Sequence, residues 1–251
     1  RGVLTRGIVP DWAQMITCGV DVQQNCLYYA VDAWGQGKKI YHLDHGCIKG
    51  TDFNTLWDII NQTYYNEKGQ DWYIDLALID SGDQTDLVYD FCYLHFPLTV
   101  PVKGSSRPIP ARFRRSEIQK EDSAAKGLSL IMCDGSYYKS MLYAKINAVD
   151  GSFQVFDGVD QEYCEQVTSE HKVFERKNGV ESWVWQKKTS DAQNHYLDCE
   201  VYASCAADLM GAFALLEEPV EQPEAEVSAE PEEDSWGEDS WDNDDWEDDW
   251  D

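Results

Sequence analysis

Long apolar runs are missing from this chain of 251 residues. No stretch approaches the roughly 18 uninterrupted apolar residues of a membrane-crossing helix. The opening RGVLTRGIVPDW also lacks the apolar block of a signal peptide. The expectation is a soluble, cytoplasmic protein with no membrane partner. No GxxxxGK[ST] phosphate loop occurs, which excludes ATP hydrolysis of the P-loop kind. The eight cysteines include no CxxC pair. Their irregular spacing speaks against a zinc cluster and against a disulfide framework, and most lie in apolar segments where free thiols pack well. Basic residues are scarce, with 20 Lys and Arg against 47 Asp and Glu and a formal net charge of −27. An overall attractive field for nucleic acid is therefore excluded.

The imbalance is uneven along the chain. From Glu217 onward stand 18 of the 47 acids and no Lys or Arg, which leaves the body at about −9. Any DNA contact by the body has to come from local basic clusters and bound cations. Residues 1–216, with enough apolar side chains for a core, are expected to form one domain. Residues 217–251 carry high charge and little aliphatic content, so they cannot offset the entropy of ordering and are expected to be a disordered tail. Trp236, Trp241, Trp246 and Trp250 interrupt that acidic tail. Rings spaced among charges suit a segment that docks into a partner, and a plain solvating tail is the alternative. Because the sequence opens on Arg1 without a methionine, it reads as a piece of a longer polypeptide.

Within the body, ITCGVDVQ, CLYYAVDAWG and KIYHLDHGCI alternate as strands and are separated by turn-prone residues, which predicts an antiparallel meander. FNTLWDIINQTYYN has helical spacing and is capped by Thr51 or Asp52. DLALID is a strand ending at Asp80, TDLVYDFCYLHF a helix and LTVPVKG a short strand. SSRPIPARFRRSEIQKEDSAAK is too rich in Pro and charge for a core and is expected to be an exposed loop. LSLIMCD follows as a strand, SYYKSMLYAKINA and DQEYCEQVTSE as helices. KVFERKNGVESWVWQKK reads as a hairpin about Asn178-Gly179. NHYLDCEVYASCAADLMGAFALL closes the body as a long helix with an apolar face. Strands threaded with helices in this order predict an α/β layered fold.

Three acids have positions suited to chemistry. Asp21 lies in the strand GVDVQ, where flanking apolar residues force its carboxylate inward, a costly place for a charge without a positive partner. Asp80 ends a strand, the edge at which open α/β sheets present ligands. Asp198 stands near the start of the last helix, three residues after His195. Each alone also suits a cap, a turn or an ion pair. Together they offer hard oxygen ligands of the kind that select Mg2+ or Mn2+, and two such ions would serve phosphodiester hydrolysis. Asp83 and Asp134, also near strand ends, are better explained as turn residues.

The series TCGVDVQ, IDSGD, VYDFC, VPVKG, CDGSYYKSMLY, EYCEQVTSE and NHYLDCEVYA resembles, in order, the C-terminal nuclease domain of the lambda-type (GpA) terminase large subunits of tailed phages. The resemblance spans roughly Ile8 to Leu216. It implies an RNase H-like fold with an auxiliary β-hairpin, and metal-dependent endonucleolytic cutting of concatemeric double-stranded viral DNA during genome packaging. It implies Asp21, Asp80 and Asp198 as catalytic metal ligands for two Mg2+ or Mn2+ ions. Its further implications are an N-terminal packaging ATPase domain and a small terminase subunit as partners, a portal or procapsid docked by the tail, and the host bacterial cytoplasm as location. The family usually shows Asn-Glu before Leu-Asp-Cys, whereas Asn194, His195 and Tyr196 stand here. His195 is then open to bonding Asp198, to touching a metal-bound water, or to filling a semi-exposed position.

The densest basic cluster, Arg107, Arg112, Arg114 and Arg115 with Lys120, follows Lys103 in VPVKG, where Gly104 lets a phosphate approach. Lys103 and the four arginines are the expected DNA-binding residues, with Lys187 and Lys188 of the hairpin adding to that surface. A solvated loop is the competing reading. At the level of the whole chain, the alternative is a non-catalytic RNase H-like adaptor that docks a portal through the tail. A third reading keeps the fold and moves the substrate to branched DNA or RNA hybrids.

Overall fold

The computed structural model describes residues 4–105, 109–177 and 179–215. Arg107, the tail and its four tryptophans lie outside the described residues.

Eight strands make the main sheet: β1 (Met15–Val22), β2 (Cys26–Gly35), β3 (Lys39–Lys49), β4 (Leu76–Asp80), β5 (Thr99–Gly104), β6 (Phe113–Glu117), β7 (Ser129–Cys133) and β8 (Phe153–Val155). Their spatial order is β8-β3-β2-β1-β4-β5-β7-β6. β1, β2 and β3 form the expected antiparallel meander. β4, β5 and β7 add on beside β1 in parallel, while β6 runs antiparallel to β7 at the edge. The helices are α1 (Phe53–Ile60), α2 (Thr85–Leu94), α3 (Gly135–Ile146), α4 (Gln161–Val167) and α5 (His195–Leu209). Strands β9 (Glu170–Lys177) and β10 (Val180–Lys187) pair as the separate hairpin read from Asn178-Gly179.

Seven of the eight residues of β1 are buried, because both faces of the sheet are covered. On one face Ile16, Cys18, Val20 and Val22 pack with Leu56 and Ile60 of α1 and with Val88 and Phe91 of α2. The other face presents Thr17, Gly19 and Asp21, since side chains alternate along a strand. There α5 lies so close that a Cβ on Gly19 would sit 1.9 Å from the carbonyl oxygen of Cys199. Thr17 fixes that approach by donating to the Ala203 carbonyl (2.8 Å) and accepting from the Trp34 indole (2.8 Å). Contacts on every side explain why α5 is buried around its circumference, where the sequence suggests a single apolar face.

Two further expectations, the span of α1 and the loop after Gly104, are corrected, and others are settled. α1 stops at Ile60, and Tyr64–Asn66 instead forms a strand parallel to Ile8–Val9. Asp52 is the α1 cap, accepting from the peptide N–H groups of Asn54 and Thr55. The polar stretch after Gly104 is not wholly a loop: residues 113–117 form edge strand β6, and Ile118 and Ala125 pack against Tyr89. An edge strand needs a partner on one side only, so exposed arginines do not prevent it. Among the cysteines, Cys26 and Cys47 on β2 and β3 are disulfide-bonded, while six remain free, five of them buried. No helix among the described residues is long and apolar enough to cross a membrane.

Candidate active site

Strand register and the docking of α5 bring the three predicted acids onto one face. Leu76, Leu78 and Asp80 alternate toward α5 on β4, as Thr17, Gly19 and Asp21 do on β1. Both acids stand at the C-terminal ends of parallel neighbours, and α5 lowers Asp198 in its first turn toward them. The proximity is felt electrostatically. Burial and then the charge of Asp21 push the Asp80 carboxyl up to about 7, with Asp198 adding to the effect. Burial raises the Asp198 carboxyl to about 6; Lys139 works against that shift, while Asp21 and Glu170 add to it. Lys139 offsets part of the negative charge at Asp198, and a divalent cation would offset more of it across the cluster. Three carboxylates on one face are oxygen donors of the type a divalent cation takes.

Each acid is held by different neighbours. Asp21, 4% exposed, accepts from Gln23 Nε2 at 3.0 Å on each oxygen and meets His195 Nδ1 at 2.8 Å. His195 thus bonds the strand acid Asp21 and not Asp198: as the first residue of α5 it reaches β1, with its ring stacked on Tyr28 at 4.4 Å. Asp80 accepts from the Gly82 peptide N–H (3.1 Å) and from the Tyr202 hydroxyl. Asp198 accepts from Asn194 Nδ2 (3.1 Å) and pairs with Lys139 Nζ (3.2 Å). Lys139 and Asn194 both also bind Glu170, at 2.9 and 2.8 Å. Burial opposes the Lys139 ammonium, yet Asp198 and Glu170 hold its pKa above the ordinary lysine value. Beside the site, Gln23, Tyr28, Asp83 and His195 help line an open cleft of 310 Å³.

Tyr202, Lys139 and Glu170 belong to this cluster and were not singled out from the sequence. Tyr202 carried a signal, because it follows Asp198 by one helical turn and shares its face. Lys139 lies inside CDGSYYKSMLY, but its partners are 31 and 59 residues away, and no local pattern announces such a pairing.

The expected DNA contacts are dispersed. Lys103 pairs in register with Met132, one residue beyond Val102, which lies opposite Asp80; alternation therefore puts Lys103 on the sheet face away from Asp80. Arg112 is engaged twice by Asp208, at 2.6 and 2.9 Å, and lies over the rings of Tyr137 and Phe213. Arg114 and Arg115 are exposed on β6 but face opposite ways, with Arg115 opposite Ile131 on the α5 side of the sheet. Lys120 pairs with Asp86. Asp134 caps α3 by accepting from the Tyr137 peptide N–H (3.2 Å), and Asp83 accepts from that of Gln84 (2.8 Å).

Among the described residues, the donors whose ligand atoms all lie within 4.8 Å of one another are Asp32, His42 and Glu200 in the core; Asp21, Asp80 and Asp198 stand further apart than that. Asp32, His42 and Glu200 are fully buried, so they cannot meet a DNA strand.

No curated protein and no solved structure matches this chain. The family model described as the endonuclease domain of terminase large subunit gpA matches residues 2–215. With that match extending over the strands and helices that carry all three acids, the chain belongs to the terminase large subunit gpA endonuclease family.

Proposed function

We propose that the domain cuts concatemeric double-stranded viral DNA during genome packaging, as a metal-dependent endonuclease centred on Asp21, Asp80 and Asp198. The observation that carries this reading is the gathering of three carboxylates on one face, at the ends of β1 and β4 and the start of α5, where burial first and then the neighbouring carboxylates raise the pKa of Asp80 and Asp198. The strand order β3-β2-β1-β4-β5, with β2 antiparallel to β1, supports an RNase H-like assignment.

Asp21, Asp80 and Asp198 would hold two Mg2+ or Mn2+ ions. Such ions, when bound, polarise the phosphodiester, lower the pKa of an attacking water and stabilise the departing 3′ oxygen. The chain's own residues position this centre. His195 and Gln23 fix the Asp21 carboxylate, and Tyr202 orients that of Asp80. Lys139, shared between Asp198 and Glu170, holds α5 against α3 and the base of the hairpin. Arg115 reaches DNA from the α5 side of the sheet edge.

In the parent enzyme we assign residues 1–216 to the nuclease and 217–251 to a tail that docks the portal or procapsid through Trp236, Trp241, Trp246 and Trp250. An N-terminal ATPase domain and a small terminase subunit complete the machine, in the host bacterial cytoplasm. A plasmid-nicking assay with Mg2+ or Mn2+, and EDTA as control, tests the catalytic reading. Cutting is expected to need metal and to fall at least about a hundredfold in Asp80→Ala. Undiminished cutting by a folded Asp80→Ala chain would place the centre elsewhere.

A further inference from the structure

Asp32 on β2, His42 on β3 and Glu200 on α5 meet inside the core, each at 0% exposure. Their ligand atoms all lie within 4.8 Å of one another. His42 Nδ1 is 2.9 Å from Asp32 Oδ1 and 3.2 Å from Glu200 Oε1. Donors around one tetrahedral ion at ~2.0–2.1 Å stand about 3.3 Å apart: the 3.2 Å separation matches this, and the 2.9 Å one, a hydrogen bond without the ion, has to open by a few tenths of an ångström. Asp32 Oδ2 and Glu200 Oε2 take no hydrogen bond from any other group, and the Asp32 and Glu200 carboxyls face each other closely enough to share one. Two carboxylates in a dry core need neutralising: the His42 imidazole, raised by them to about 9 against the effect of burial, supplies one positive charge, and the second calls for a proton or a metal ion.

The surroundings are those of a ligand set held in place. The other ring nitrogen of His42, Nε2, meets His45 Nδ1 at 2.9 Å, and His45 Nε2 meets Asp160 Oδ2 at 2.6 Å. With His45 donating to Asp160, this chain has His42 donate through Nε2 and turn Nδ1 toward Asp32 and Glu200, which is how outer partners orient metal-binding histidines. The Tyr163 hydroxyl donates to Glu200 Oε1 (2.7 Å) and fixes that carboxylate in turn. The Asp32, His42 and Glu200 trio, we propose, binds a divalent transition-metal ion, Zn2+ by its mixed imidazole and carboxylate donors, as a structural site separate from the nuclease centre. The ion would tie β2, β3 and α5 together and so fix the helix that carries Asp198. The competing occupant is a proton shared by the two carboxyls; burial together with Glu200 holds the Asp32 carboxyl far above its usual range.

The test counts metal in the full chain carrying Asp80→Asn and Asp198→Asn, which disables the nuclease carboxylates. After loading with Zn2+ and exhaustive dialysis, elemental analysis is expected to find about one Zn2+ per chain. Adding Asp32→Asn or His42→Gln is expected to lower retention about tenfold. To separate loss of metal from loss of folding, the chain bearing only the two nuclease substitutions is also refolded from denaturant and EDTA and then titrated with Zn2+. Its Tm is expected to rise by roughly 5 °C or more at saturation. A folded chain that retains no Zn2+ and whose Tm ignores it overturns the proposal in favour of the shared proton. Undiminished retention in folded Asp32→Asn overturns it equally.

Discussion

Asp80 stands where negative charges compete for little water, and that competition has a sign. Its carboxyl is raised to about 7 by burial and Asp21, and that of Asp198 to about 6 by burial, partly offset by Lys139. An unfolded Asp titrates near ~3.9, so between about pH 4 and 7 the folded state binds more protons than the unfolded one. Stability from these groups is fully present below pH ~4 and is lost as pH rises through 6 to 7. In EDTA the melting temperature is therefore expected to fall from pH 5 to pH 8, Asp80→Asn flattening much of the slope and Mg2+ or Mn2+ restoring more at pH 8 than at pH 5. A flat metal-free profile by scanning fluorimetry would show that the carboxylates do not repel one another. Lys139 makes a complementary case. Lys139→Met leaves Glu170 and Asp198 without their shared cation, a loss of ~3 kcal/mol on the scale of broken buried pairs, to be read by urea denaturation. At this scale the sequence exposed the three acids, because strand ends and the helix start are visible locally. It hid Lys139 and Glu170, whose meeting depends on how α3 and the hairpin dock.

At the scale of elements, the approach of α5 to β1 decides whether the acids meet. Gly19 makes it possible, since a Cβ there would stand 1.9 Å from the Cys199 carbonyl oxygen and 2.5 Å from the Ala203 nitrogen. Both obstacles are backbone, so the helix itself would have to move. Gly19→Ala is expected to cost about 3 kcal/mol, at the upper end of core overpacking, and to displace Asp198 from Asp21 and Asp80. The folded remainder should nick DNA more weakly than its stability loss explains; wild-type stability and nicking together would mean that α5 has room to spare. The sequence around Gly19 reads as an ordinary strand. Alternation shows where a strand lies, but not that a helix crosses it at backbone contact. The same limit accounts for α1, whose predicted span ran to Asn66 because Tyr64 continues the helical spacing, while Tyr64–Asn66 pairs with Ile8–Val9. Local spacing cannot see a partner strand more than fifty residues away. The hairpin was legible because its turn and both strands are contiguous.

Across the whole molecule, the question is how a mildly acidic body holds a polyanion. The sequence concentrates bases after Gly104 and suggests one clamp, but tertiary structure divides them. Arg112 is held by Asp208, Lys120 by Asp86, and Arg114 and Arg115 face opposite sides of the sheet. Only the Arg115 side is shared with Asp80 and α5. If DNA lies across the carboxylates, Arg115 neutralises a phosphate and Arg114 does not. Arg115→Ala should then weaken duplex binding and reduce the slope of log affinity against log salt by ~0.9, the value for one phosphate contact. Arg114→Ala should leave that slope nearly unchanged. Fluorescence anisotropy with a short duplex over a salt series, in Ca2+ to bind without cutting, separates the two. Equal losses would mean that the whole loop wraps the backbone, as its composition suggests, and that the sheet face does not set the path of the DNA. A larger loss at Arg114 would move the duplex to the α2 side, where it could not reach Asp80, and would count against the catalytic assignment itself.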